Sequence, residues 1–146
     1  MKKAFFLIPD FKNLYDDSIL YIAEGLNQLG YVLYSNRDYW QIDLEGTYLL
    51  NYDIDFNPER DADIVFVSNK WTEHMDSFTF KTYGNSVPEW IYNKKRKFIS
   101  IYIDARDGYR TISYIPEFRQ FDYIFRSQYN KNTQNLNNIH PWNLGF

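Results

Sequence analysis

The pattern of the first 36 residues predicts a strand, a helix and a second strand in succession. Residues 4–8 (AFFLI) form a continuous apolar run, which is typical of a strand buried on both faces of a sheet. Residues 31–36 (YVLYSN) form a second run, and Gly30 before it fits the position where a left-handed backbone ends a helix. A strand–helix–strand unit this short predicts a parallel strand pair joined by a right-handed crossover. The helix is predicted from apolar residues three and four apart, namely Ile19, Ile22, Ala23, Leu26 and Leu29.

Three more apolar runs of strand-like length follow this opening unit. They lie at residues 63–68 (DIVFVS), 98–104 (FISIYID) and 122–127 (DYIFRS), with more polar segments between them. Pro88 predicts the start of a short helix, and residues 94–97 (KKRK) would end that helix as a solvated basic run. Strands alternating with helical or irregular connections predict an α/β fold. We expect a three-layer, doubly wound, mostly parallel, Rossmann-like sheet of about five to six strands.

The composition limits the functions that the chain can have. Its 146 residues suit one folded domain, and 45% of them are hydrophobic. The net charge of −3, from 19 acidic and 16 basic residues, argues against a nucleic-acid partner held by bulk electrostatics. The sequence has no Cys, which excludes disulfides and thiolate metal sites. We predict neither a metal site nor a cofactor.

No segment has the length of a signal peptide or a membrane span. The N-terminal MKKAFFLIPD resembles the start of a secretion signal, but its apolar run is shorter than the roughly 7–15 residues of that region. No run approaches the roughly 18 apolar residues that a membrane-spanning helix needs. We therefore expect a cytoplasmic protein without a transmembrane segment.

The phosphate-binding motifs of common nucleotide enzymes are missing. The first strand is followed by PDFKNLYDDS, which contains neither G-x-G-x-x-G nor G-x-x-x-x-G-K-[ST]. This argues against a dinucleotide bound at the first turn and against P-loop phosphoryl transfer. A phosphoacceptor receiver domain would need an Asp after the third strand and a Lys after the fifth. The chain has Ser68 and Asn69 at the first position and Arg126 at the second.

Candidate site residues follow the predicted strands, because ligands of doubly wound sheets collect at the carboxyl ends of the strands. The densest polar cluster is DARDGYR, in which Asp104 or Asp107 is a candidate general base or contact for a sugar hydroxyl. Arg106 or Arg110 is a candidate contact for an anionic group. His74 is a further candidate base. The alternative for this cluster is a turn with a surface ion pair, since Asp-Gly is a favoured turn dipeptide. Candidate binding residues at the other strand ends are Asp10, Ser68, Asn69 and Arg126.

Four segments together carry a family resemblance. They are KAFFLIPDFKNLYDDSILYIAEGLNQLGY, DADIVFVSN, KFISIYIDARDG, and FDYIFRSQYN followed by IHPWNLGF. Their order resembles the N-terminal half of a two-Rossmann-domain (GT-B) glycosyltransferase, and the resemblance covers most of the chain. In that family a phrase like x-x-P-W-x-x-G usually lies just before the interdomain linker. The chain departs from the family at Pro9 and Asp10, where members commonly carry a Gly-rich turn.

The resemblance implies that residues 1–146 are a single Rossmann-like domain, the acceptor-side N-terminal half of a two-domain enzyme. Such an enzyme transfers a sugar from a nucleotide-sugar donor to a glycan, lipid or protein acceptor. Its donor site lies mostly in the C-terminal domain, so the isolated chain would bind an acceptor without completing a transfer. The candidate bases are then Asp104, Asp107 and His74, and the candidate acceptor contacts are Asp10, Ser68, Asn69, Arg106 and Arg126.

Two other functions are compatible with the sequence. The chain could be a stand-alone Rossmann-like module that binds a ligand or a partner protein without catalysis. It could also be a small nucleotide-processing enzyme built around Asp104 and Asp107. The apolar residues of the ending NNIHPWNLGF predict either a sixth element at the sheet edge or the entry to a linker. These residues are Trp142, Leu144 and Phe146.

Overall fold

A computed structural model of the chain describes residues 1–9, 17–38, 50–72, 74–75, 82–105, 120–127 and 138–141. The described elements are nine strands, three α-helices and one 3₁₀ helix. In chain order they are β1 (Lys3–Leu7), α1 (Asp17–Gln28), β2 (Val32–Ser35), β3 (Asn51–Tyr52), α2 (Pro58–Asp61), β4 (Ile64–Ser68), α3 (Asn69–Thr72), β5 (His74–Met75), β6 (Thr82–Tyr83), the 3₁₀ helix (Glu89–Tyr92), β7 (Ile99–Asp104), β8 (Tyr123–Arg126) and β9 (Ile139–Pro141).

Seven of the described strands form one parallel sheet in the order β3-β2-β1-β4-β7-β8-β9. This confirms the predicted doubly wound, Rossmann-like α/β fold, with one or two strands more than expected. The chain moves from β1 to β2 and β3 on one side, and then returns to place β4 on the other side of β1. The boundary between β1 and β4 is therefore the topological switch point, where doubly wound folds bind their ligands.

The opening strand–helix–strand unit is confirmed, except that α1 ends at Gln28 and the predicted helix residue Leu29 is 76% exposed. Hydrogen bonds show how the helix ends. Gly30 has a φ of 87°, a left-handed conformation that a residue without a Cβ adopts at little cost. Its N–H donates to the Asn27 carbonyl oxygen at 3.0 Å, and the Tyr31 N–H donates to the Leu26 carbonyl oxygen at 3.0 Å. This is a Schellman motif, which closes the last helical turn and sends the chain into β2. β2 then runs parallel to β1, with Leu33 opposite Ala4.

Apolar side chains pack on both faces of the sheet. On one face, Ile19 and Ala23 of α1 are buried against strand residues that include Phe6 and Phe66. On the other face, Ile91 of the 3₁₀ helix is buried in a second cluster. That cluster also contains Val65, Tyr102, Phe121 and Ile124. Because successive strand residues point to opposite faces, β1, β4 and β7 contribute to both clusters, which explains their continuous apolar runs.

Three segments differ from the prediction or go beyond it. β3 is a two-residue strand of exposed residues that lies outside the predicted apolar runs. After β4 the chain forms α3 and an antiparallel β5–β6 pair, in one of the more polar segments between the predicted strands. The 3₁₀ helix ends at Tyr92, where the Asn93 N–H donates to the Trp90 carbonyl oxygen at 3.3 Å. The basic residues 94–97 therefore follow the helix and do not form its last turn.

The last described strand lies at the sheet edge. β9 pairs in parallel with β8, placing Ile139 opposite Ile124. The prediction of a sheet-edge element or a linker entry concerned Trp142, Leu144 and Phe146, which lie outside the described residues. None of the described helices has the length and apolar character needed to cross a membrane.

Candidate functional site

The candidate site lies at the carboxyl edge of the parallel sheet, beside the switch point. There the ends of β1 and β2 are fastened together by side chains. The Ile8 N–H donates to Asn36 Oδ1 at 2.6 Å, and Asn36 Nδ2 donates back to the Ile8 carbonyl oxygen at 2.9 Å. Arg37 Nε donates to the same carbonyl oxygen at 3.0 Å. The backbone at the end of β1 is thus held in a fixed position.

The end of β4 carries two buried polar residues, Ser68 and Asn69. Ser68 Oγ accepts a hydrogen bond from the Lys70 N–H at 3.2 Å, at the start of α3. Asn69 Oδ1 accepts one from the Ala105 N–H at 2.9 Å, just after β7. Asn69 therefore links the carboxyl ends of two neighbouring strands at the edge of the sheet.

Asp104 and Arg126 form an ion pair at the ends of β7 and β8. The two residues lie opposite each other in the strand register, and Arg126 Nε is 3.7 Å from Asp104 Oδ2. The Arg126 side chain is 2% exposed and the Asp104 side chain 1% exposed, so both groups have little contact with water. The Asp104 carbonyl oxygen also accepts from the Ser127 N–H at 3.0 Å, which ties the two strand ends through the backbone.

β7 carries a further polar contact, two residues before Asp104. The Tyr102 side chain is fully buried, and its hydroxyl lies 2.7 Å from Thr72 Oγ1 at the end of α3. Tyr102 precedes Asp104 by two residues, so both side chains point to the same face of the sheet. Neither Thr72 nor Tyr102 was predicted as a site residue. Their contact depends on how α3 packs against β7, and no local sequence motif indicates it. Asn36 was missed as a site residue too, although its position directly after β2 marks it by the same strand-end rule.

The structure brings four of the sequence-predicted site residues to one edge. They are Ser68, Asn69, Asp104 and Arg126. His74 lies in β5, which follows α3, and pairs with Tyr83 of β6. The predicted residues Asp10, Arg106 and Asp107 lie outside the described residues. Asp104 forms a buried cross-strand ion pair with Arg126. The alternative of a surface pair between sequence neighbours involves Arg106, which lies outside the described residues.

The chemistry of this edge follows from its side chains. Amide, hydroxyl, carboxylate and guanidinium groups converge on the ends of β4, β7 and β8, and these groups suit recognition of a polar ligand by hydrogen bonds. Among the described residues, no three His, Asp or Glu side chains form a cluster able to hold a metal ion. Comparisons with protein-family models, with curated protein sequences and with solved structures gave no match.

Replacing Asn69 by Ala should loosen this edge. The Ala105 N–H would lose its acceptor at a partly buried position, which typically costs about 1–3 kcal/mol of the free energy of unfolding. We expect the Ala105 amide to exchange with solvent faster in Asn69→Ala, as measured by hydrogen-exchange NMR. Asn69→Asp keeps an acceptor oxygen and should retain most of the protection. Equal Ala105 exchange rates in the wild type and in Asn69→Ala would contradict the role given to Asn69.

Proposed function

We propose that this chain is the acceptor-binding domain of a glycosyltransferase that moves a sugar from a nucleotide-sugar donor to a glycan, lipid or protein acceptor. The observation that carries the proposal is the polar cluster beside the switch point of a doubly wound sheet. Ser68, Asn69, Asp104 and Arg126 gather at the edge where such folds bind ligands. Hydrogen-bonding groups of mixed donor and acceptor character suit the hydroxyls of a sugar.

In this proposal the four buried side chains form the floor of the acceptor site. Their hydrogen bonds and ion pair fix the strand ends, so little ordering is needed when the acceptor binds. Asp104 is 1% exposed and faces the Arg126 guanidinium, so it serves as a positioning residue in this site. The acceptor itself would contact the residues that follow the strands, for which Asp10, Arg106 and Asp107 stay the sequence-based candidates.

The transfer reaction needs two contributions from the enzyme: deprotonation of the acceptor, which we assign to this domain, and stabilisation of the departing phosphate, which we assign to another domain. The acceptor hydroxyl oxygen attacks the anomeric carbon of the donor, the bond from that carbon to the phosphate oxygen breaks, and the nucleoside diphosphate leaves. The hydroxyl proton passes to a general base, for which Asp107 and His74 are the remaining candidates. Stabilising the departing phosphate requires positive charge or oriented N–H groups, which we assign to a C-terminal donor-binding domain.

The proposal is tested by NMR on the isotopically labelled 146-residue chain. We expect simple mono- and disaccharides to shift the amide signals of Asn69, Ala105 and Ser127, while UDP- and GDP-sugars leave these three signals unchanged. Asn69→Ala should weaken the saccharide response, whereas Ile54→Ala, at an 84% exposed position, should not. The chain with donor and saccharide together should release no nucleoside diphosphate above background.

Three outcomes would count against the proposal. Robust sugar transfer by the isolated chain would show that no second domain is needed. If saccharides leave the three amide signals unchanged, the proposed acceptor site would be wrong. Shifts at these amides caused by a non-sugar ligand alone would favour the alternative of a Rossmann-like ligand-binding module without catalysis.

A further inference from the structure

A second polar surface lies at the opposite, amino edge of the sheet and takes no part in the proposed function. Its centre is the turn that joins the 3₁₀ helix to β7, residues 93–97, which includes the four consecutive basic residues Lys94, Lys95, Arg96 and Lys97. β7 begins at Ile99 and ends at Asp104, so about 17 Å of strand separates this turn from the carboxyl edge. We call the surface formed by these four basic residues the basic turn.

The basic turn is fixed to the sheet through Arg96. One terminal nitrogen of Arg96 donates to Asp122 Oδ1 at 3.0 Å and to the Gln120 carbonyl oxygen at 2.9 Å, and the other donates to the Asn93 carbonyl oxygen at 3.1 Å. Asp122 is held in turn, because its Oδ2 accepts from the Ser100 N–H at 2.8 Å and from Ser100 Oγ at 3.2 Å. The turn is therefore anchored to the starts of β7 and β8.

Anchoring Arg96 leaves the three lysines on a rigid support. Lys94, Lys95 and Lys97 are exposed, whereas Arg96 is largely covered, with 13% of its side chain exposed. The Lys95 N–H donates to Asn93 Oδ1 at 3.0 Å, which further fixes the backbone from which the lysines project. A pre-organised backbone lowers the entropy that a bound ligand must offset. This separates the basic turn from a flexible, solvated run of lysines.

Two cavities lie beside the basic turn and share Arg96 and Phe98. The larger, of about 370 Å³, is lined by residues that include Tyr92, Lys94 and Asp122. The smaller, of about 180 Å³, is lined by residues that include Trp90, Lys95 and Lys97. The larger volume falls within the roughly 300–1,000 Å³ of small-molecule sites. Each cavity thus combines at least one lysine with an aromatic side chain.

The charges around these cavities are predominantly positive. In the larger cavity, Asp122 forms an ion pair with Arg96. The other cationic group among the described residues of this cavity is the Lys94 ammonium group. The smaller cavity also contains Arg60 and Glu59. Arg60 binds Asp61 through Nε at 2.8 Å and lowers the pKa of that carboxyl to about 2, so its charge is matched locally. Lys95 and Lys97 then face a single further acidic residue among the described lining residues, Glu59.

We propose that the basic turn is a binding site for a small ligand that carries two or more phosphoryl groups, with the phosphoryl groups placed on both sides of Arg96. Lysine ammonium groups bind phosphate oxygens as compact point charges, and a chain of phosphates matches lysines spread over two adjoining cavities. The aromatic residues Tyr92 and Trp90 can contact a ring attached to such a chain. Three exposed lysines within four consecutive residues give this surface a local positive charge that attracts anions, although the net charge of the chain is −3.

Calorimetric titration with inorganic tripolyphosphate tests the site on the full chain. We expect wild-type protein to bind it at low ionic strength, and the triple variant Lys94→Gln/Lys95→Gln/Lys97→Gln to bind at least about tenfold more weakly. Lys70→Gln, which removes one positive charge at the opposite edge of the sheet, should change the affinity less than about twofold. Raising the salt from about 50 to about 300 mM should weaken wild-type binding, because ions screen exposed charges.

Two further ligands separate the possible sources of the phosphoryl groups. A nucleoside triphosphate that binds more tightly than tripolyphosphate supports contacts of its ring with Tyr92 and Trp90, while equal affinities support recognition of the phosphate chain alone. In either case the NMR signals of residues 93–97 should shift and those of Asn69 and Ala105 should not. The triple variant alters exposed side chains, and its circular dichroism spectrum should match that of the wild type.

Several results would overturn this site. One is the absence of tripolyphosphate binding by the wild type at low salt. Another is a Lys70→Gln variant that loses as much affinity as the triple variant, which would indicate attraction without a defined site. A third is tight binding of a single-stranded oligonucleotide with no binding of tripolyphosphate or nucleoside triphosphate, which would replace the small ligand by a nucleic acid.

Discussion

Replacing Arg126 by Met is expected to lower the free energy of unfolding by about 3–5 kcal/mol, because the buried Asp104 carboxylate would lose the guanidinium that lies across from it. The pair lies at the ends of β7 and β8, with a separation of 3.7 Å and almost no exposure of either side chain. Burying a charge costs hydration on folding, and the opposite charge of Arg126 offsets part of that cost. The loss is measured by chemical denaturation followed by tryptophan fluorescence and extrapolated to zero denaturant.

The double variant Asp104→Leu/Arg126→Met is the matched control for this prediction. It removes both charges and fills the space with apolar side chains, a change that is often close to neutral for buried ion pairs. We expect it to be at least about 2 kcal/mol more stable than Arg126→Met alone. A double variant less stable than either single variant, or a cost below about 1 kcal/mol for Arg126→Met, would contradict the buried pair.

The second large effect is expected from Phe6→Ala, which should lower the free energy of unfolding by about 3–5 kcal/mol. Phe6 is fully buried in β1, between β2 and β4, and its ring stacks on Phe66 with the two ring centres 4.8 Å apart. Removing the ring leaves a cavity on the face covered by α1 and ends the aromatic contact. Thermal or chemical denaturation measures the change.

Two controls accompany this substitution. Phe6→Leu keeps most of the apolar volume and should cost about half as much or less. Ile54→Ala removes an aliphatic side chain that is 84% exposed, and its effect should lie within about 0.5 kcal/mol of zero. If Phe6→Ala and Ile54→Ala destabilised the protein equally, the assignment of Phe6 to the core would be wrong.

Strands with side chains packed on both faces of the sheet could be predicted from the sequence. The two-residue strands β3, β5 and β6 could not be predicted. β1, β4 and β7 are continuous apolar runs because they lie inside the sheet with side chains covered on both sides. β3 has two exposed residues, and β5 and β6 have two residues each, so none of them is long enough to show a period. Their existence depends on pairing partners, which local sequence does not specify.

The candidate site divides in a similar way. The strand-end rule placed Asn69, Asp104 and Arg126 at the carboxyl edge, and the structure confirms that position. The rule could not show that the Asp104 side chain lies across from Arg126. That contact arises because β7 and β8 are adjacent and in a register that sets the two residues opposite each other. Which strands are adjacent, and in what register, is decided when the sheet assembles. Neither can be predicted from the polar residues at the end of a single strand.

The position of β1 also has a consequence for how the protein is made. β1 is synthesised before the other described strands, yet one of its two neighbours is β4, where Ile64 lies opposite Ala4. About 60 residues must therefore emerge from the ribosome before the second edge of β1 can be paired, and at roughly 5–20 residues per second this takes several seconds. During that interval an apolar strand edge is open to wrong partners. The same long-range pairing predicts slow refolding in comparison with helical proteins of equal length.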